Sequence, residues 1–100
     1  MIQITNKKVD KSDSNTFYCG RPSVLGNPFE MESELDRNIV IDEYKKWLED
    51  KLNAGDITIS NRISTMIAHY KSHGKLKLMC WCYPKRCHCE VIKEILEKLI

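Results

Sequence analysis

The chain has 100 residues and a mass of 11.7 kDa, and it is 42% hydrophobic and 30% charged. A chain this short buries roughly 60–70% of the surface it exposes when unfolded, so one domain over residues 1–100 is expected and two are excluded. Sixteen Lys and Arg against 14 Asp and Glu leave a net charge of +2, too little by itself to indicate nucleic acid as a partner.

In chain order, Ile2-Gln3-Ile4-Thr5 alternates as a strand does, and Asn6 to Asn15 reads as a polar loop. Thr16 to Cys19 fits a second short strand. Gly20 to Phe29 holds two Gly, two Pro and an Asn in ten residues, so it is a shaped loop rather than a regular element. Ser33, with Asp36 three residues on, predicts a helix start. Leu35, Ile39, Val40, Tyr44, Trp47, Leu48 and Leu52 keep helical spacing up to Gly55. A second helix is expected over 60–72, with Gly74 after it. Leu76 to Cys82 has the composition of a buried strand, and Tyr83-Pro84-Lys85-Arg86 turns the chain. Val91, Ile92, Ile95, Leu96, Leu99 and Ile100 mark a last amphipathic helix that opens near Cys87 or His88.

Strands separated by helices predict an α/β domain: a short mixed or parallel sheet flanked by about three helices. No run reaches the ~18 apolar residues of a membrane span, so no membrane partner is expected. The first residues lack the apolar centre of an export signal, which predicts a cytoplasmic location. In such sheets ligands bind beyond the carboxyl ends of the strands. Gly20 to Phe29 and Tyr83 to His88 would both lie there.

Five cysteines are present, four of them within ten residues: Cys80, Cys82, Cys87 and Cys89, with Cys19 upstream. An odd count in a chain without an export signal argues against a disulfide framework. Cys80, Cys82, Cys87 and His88 have the ligand types of a tetrahedral zinc site, although C-x-C-x4-C-H matches no familiar zinc spacing, so no cofactor is favoured and zinc stays an alternative. Alternatively Cys87, in the first turn of a helix beside Lys85 and Arg86, would have its thiol pKa lowered. The same turn would then suit an anion. The plainest reading is that Cys80, Cys82 and Cys87 fill the strand–helix junction as small buried side chains.

In the first loop, Arg21 carries the fork suited to phosphate or carboxylate. Gly20 and Gly26 would admit a ligand to the backbone or take positive φ. Ser23 and Asn27 would add polar contacts, and Tyr18 and Phe29 would offer flat faces to a base. Neither a Walker loop nor a dinucleotide fingerprint is present. Arg37 opposes the helix dipole, so another partner should hold it.

Tyr18-Cys19-Gly20-Arg21-Pro22-Ser23, Leu25-Gly26-Asn27-Pro28-Phe29, then Arg37 with Tyr44 and Trp47-Leu48, and finally Leu78, Cys80, Cys82, Pro84, Cys87-His88 and Val91-Ile92 occur in this order. Together they resemble the domain-of-unknown-function family numbered 4326, small proteins of bacteria and bacteriophages. The resemblance places Cys19 and Cys89 outside the family pattern and leaves Cys80, Cys82, Cys87 and His88 as the set of interest. The residues and the resemblance together lead to the expectation of a non-catalytic binding protein for a phosphate-bearing small molecule, a nucleotide or ADP-ribose derivative. Phage origin would make it a trap for a host immune nucleotide. Arg21 and Arg37 would neutralise phosphate, Cys82, Cys87 and His88 would line the other wall, and Tyr18 or Phe29 would stack. Two alternatives stay open: an enzyme using Cys87 or His88 as nucleophile or base, and a structural zinc module for a protein partner. A core this small is also compatible with a homo-oligomer.

Overall fold

The computed structural model describes residues 2–83 and 85–100. Its elements are β1 (Ile2–Asn6), β2 (Thr16–Tyr18), a 3-10 turn (Glu34–Asp36), α1 (Arg37–Asn53), α2 (Ile57–His73), β3 (Leu76–Cys80) and α3 (His88–Leu99). The three strands form one sheet in the order β1-β3-β2, with both pairings parallel. The α/β expectation therefore holds, and of the mixed or parallel alternatives the sheet is parallel. Pro84, expected in the turn after β3, lies outside the described residues.

The last strand is the central one. Ile2 aligns with Leu76 and Asn6 with Cys80 on one side, and Thr16 aligns with Lys77 and Tyr18 with Met79 on the other. Strand alternation sends Leu76, Leu78 and Cys80 to one face. There they join a single buried cluster with Ile41, Tyr44 and Leu48 of α1, Ile59, Ile63 and Met66 of α2, and Val91, Ile92, Ile95 and Leu96 of α3. Met79 points the other way, where Ser12 of the 7–15 loop hydrogen-bonds its sulfur. That loop is tied to the sheet by the Lys77–Asp13 ion pair at 2.9 Å.

Several boundaries differ from the expected ones, three of them for a visible physical reason. Ser33 makes no side-chain cap, and a 3-10 turn precedes α1. Leu35 falls in that turn, out of phase with the helix, and is 89% exposed. α2 begins at Ile57 rather than Ser60, because the Asp56 carboxylate accepts from the Ile59 amide at 3.0 Å and caps the helix there. It ends at Gly74, which takes the left-handed φ of 70° that glycine adopts without strain. β3 stops at Cys80, because the chain beyond it is drawn aside: Asn6 Nδ2 donates to the carbonyls of Trp81 at 3.1 Å and Tyr83 at 2.6 Å.

Candidate functional site

β2 and β3 run parallel, so their carboxyl ends leave the sheet on the same edge, beside the N-terminus of α3. A cavity of about 510 Å³ opens there, with Arg21, Phe29, Arg37, Trp81, Cys82 and His88 in its walls. Tyr18, Gly20, Asn27, Arg86 and Cys87 also reach it. Nine of the eleven residues expected to bind a ligand thus come together; Ser23 and Gly26 do not.

The first wall is the loop after β2, and its own side chains shape it. Arg21 donates from Nε to the Asn27 carbonyl at 2.7 Å and from one terminal nitrogen to the Phe29 carbonyl at 2.9 Å. Asn27 Oδ1 accepts from the Phe29 amide at 2.9 Å. The Tyr44 hydroxyl, buried in the core, donates to the Leu25 carbonyl at 2.7 Å and pins the loop from below. Ser23 and Gly26 belong to this framework: the Gly26 amide bonds the Ser23 carbonyl at 2.9 Å, and neither residue lines the cavity. Neither Gly20 nor Gly26 has positive φ. Gly20 is needed for space, since a Cβ there would lie 2.6 Å from the Tyr18 ring.

Tyr18, expected with Phe29 to offer a flat face to a base, lines the cavity and is also tied into the scaffold. Its ring lies on Gly20 with the Lys7 ammonium 5.0 Å from the centroid. Its hydroxyl accepts from Trp81 Nε1 and donates to the Arg21 carbonyl, both at 2.9 Å. The flat surfaces in the cavity wall are Phe29 and Trp81, the latter 48% exposed and not singled out from the sequence for this role. A lone Trp in a strand pattern carries no signal that it leaves the sheet.

The second wall is the turn from β3 into α3. Arg37 holds it in place. Its guanidinium makes a two-pronged contact with the Glu34 carboxylate, both bonds 2.9 Å, and gives the remaining terminal nitrogen to the Arg86 carbonyl at 2.8 Å. All three guanidinium nitrogens are engaged, and Arg37 and Lys85 hold the Glu34 carboxyl down at about 2. Arg37 is therefore an anchor, with Glu34 as the partner that its unfavourable helix position required. Arg86 instead bonds Asn38 Oδ1 at 2.9 Å and faces Glu90 at 3.4 Å.

Cys87 caps α3 in extended conformation, and its sulfur lies 3.2 Å from that of Cys80. Cys80, Cys87 and Cys89 are buried with their sulfurs within 4.8 Å of one another, and could hold a metal ion. Cys89 thus belongs with the cluster that the resemblance had left it out of, and Cys19 is fully buried in the core. Hydrogen bonds among the thiols separate their acidities. Donation from Cys87 and then Cys89 lowers Cys80, while Cys87 is pushed up as the donor to Cys80 and Cys82. The activation expected at Cys87 is reversed in direction. Cys82, half-buried in the cavity wall, is the thiol brought down to about 6, by Cys87 first and then by the Arg37 guanidinium.

His88 faces inward. Its Nε2 donates to the Cys19 carbonyl and its ring meets Tyr44 edge-on at 5.0 Å. Burial lowers its pKa below 6.5, so it stands neutral, and no carboxylate among the described contacts orients it as a base.

The chain matches, over residues 2–98, the family described as domain of unknown function (DUF4326), and it belongs to that family. No curated protein and no solved structure matches it.

Proposed function

For this member of the family, we propose a binding module for a small phosphate-bearing molecule of the nucleotide or ADP-ribose type, held without chemical change. A cavity of about 510 Å³ has the size of a small-molecule site. It lies beyond the carboxyl ends of two parallel strands, where α/β sheets receive ligands. The observation that carries the reading is Arg21. Two of its nitrogens are spent on loop carbonyls, which fixes the guanidinium plane, yet no carboxylate pairs with it among the described residues. A positive group held rigid without a counter-charge favours an anionic ligand. The amide end of α3 adds a second attraction for negative charge, and Phe29 and Trp81 supply the surfaces a base or ring would lie on. Zinc forms no part of this reading.

Thermal shift and native mass spectrometry against mononucleotides, dinucleotides, ADP-ribose and the matching phosphate-free nucleosides test it. Phosphate-bearing compounds should raise Tm and nucleosides should not. Arg21→Ala should weaken binding by about 10–100-fold, the worth of one charged hydrogen-bonding group. Unchanged binding in that variant would remove Arg21 from the site, and recovery of an altered compound after incubation would make the protein an enzyme instead.

A further inference from the structure

The cysteines support an inference that is independent of the anion pocket. Cys80 ends β3, Cys87 caps α3 and Cys89 stands in its first turn, so a strand end and a helix start bring three buried sulfurs to one point. The Cys80 and Cys87 sulfurs lie 3.2 Å apart. Cys82, in the cavity wall two residues after Cys80, lies outside that 4.8 Å group and would turn inward to supply a fourth sulfur. Zinc–sulfur bonds of about 2.3 Å put the sulfurs of a tetrahedral centre roughly 3.8 Å apart, inside the spacing found here.

Neither core packing nor a disulfide fits the cluster as well. Packing alone needs small apolar volume and gains little from adjacent sulfurs, since S–H is a weak donor. A disulfide between Cys80 and Cys87, whose sulfurs lie 3.2 Å apart, would require closure to about 2.05 Å and would leave Cys89 unused.

We propose that Cys80, Cys87 and Cys89, completed by Cys82, form a thiolate site for a soft tetrahedral divalent cation, zinc by its ligand chemistry. Each sulfur–metal bond forms as the S–H proton leaves to solvent. The α3 N-terminus and Arg37, which lines the same cavity wall as Cys82, offset the charge that remains. His88 and Cys19 stay outside the set, the imidazole being committed to the Cys19 carbonyl.

The test titrates reduced, metal-free protein with cobalt(II) in the absence of oxygen. One equivalent should produce visible d–d bands and a near-ultraviolet thiolate charge-transfer band of four-sulfur intensity. Zinc should then displace the cobalt one for one, with a rise in Tm. Cys89→Ser should lower affinity by roughly 100-fold or more, and Cys82→Ser should leave a three-sulfur spectrum. Cys19→Ala should bind like the wild type. Because Cys89→Ser can fail to fold, the wild-type titration is decisive alone: no bands at one equivalent overturns the site. So does an unchanged spectrum in Cys82→Ser, or loss of binding in Cys19→Ala. Arg21→Ala should keep cobalt affinity whatever it does to nucleotides, which separates failure of this site from failure of the anion pocket.

Discussion

The two walls of the cavity are built in opposite ways. The Gly20–Phe29 wall is held mainly by bonds within about eight residues: Arg21 to Asn27 and Phe29, Asn27 to Phe29, and Tyr18 to Arg21. The wall after β3 is held by partners 48 to 77 positions away: Asn6, Arg37 and Asn38. The two arginines show the consequence. Arg21 serves its own loop and keeps its charge uncompensated. Arg37 serves a distant turn and is neutralised by Glu34. Among the described residues, one cation thus lacks a counter-charge while the other, paired with Glu34, holds the turn in shape.

The strongest challenge to this contrast is at Tyr44, a long-range support of the local wall. Tyr44→Ala should cost about 3–5 kcal/mol in urea denaturation, through the cavity it leaves and the orphaned Leu25 carbonyl. A loss near that of an exposed residue would mean that the loop holds itself without the core. The arginine pair comes next. Arg37→Gln should lower Tm, by about 1–3 kcal/mol of lost contacts, and leave nucleotide affinity nearly unchanged, the reverse of Arg21→Ala. Equal effects on affinity would erase the distinction between anchor and ligand contact. Asn6→Ala should cost about 1–2 kcal/mol by freeing the Trp81 and Tyr83 carbonyls, and should raise amide exchange in the second wall before the first.

The smallest effect is one of pH. His88 is neutral in the fold and its pKa lies below 6.5 because it is buried, so the unfolded chain takes up the proton first as pH falls. The stability from this group is complete above 6.5 and is lost as pH drops towards the folded value. The urea midpoint at about pH 5.5 should therefore lie below that at about pH 7.5, and His88→Asn should flatten the difference. Equal midpoints in the wild type would place the imidazole in solvent.

The same contrast accounts for what could be read in the sequence. Gly, Pro and Asn density marks the first wall as a shaped loop, because its conformation is set by nearby residues. The helix spacing of Val40, Tyr44 and Leu48 likewise reports a buried face directly. Trp81 was hidden, since the bend that carries it out of the sheet depends on Asn6, at the far end of the chain. Cys89 was hidden too: it looks incidental in a row of residues, and only the docking of α3 against β3 shows its sulfur beside those of Cys80 and Cys87. Ser33 shows the opposite failure, a valid local signal overridden by a 3-10 turn. Where contacts are local the residues announce them; where they span the chain, composition alone is silent.

The strand order sets the timing of assembly on the ribosome. β1 and β2 have no strand partner except β3, which starts at Leu76, so the first three-quarters of the chain can emerge without any sheet hydrogen bond being made. Contacts of long sequence separation also slow folding, because the intervening chain must be closed before they form. Both walls of the cavity lean on that same strand end. A nascent chain therefore gains its sheet and its candidate site in one late step, and a chain stopped before Leu76 would leave β1 and β2 without the strand that pairs them.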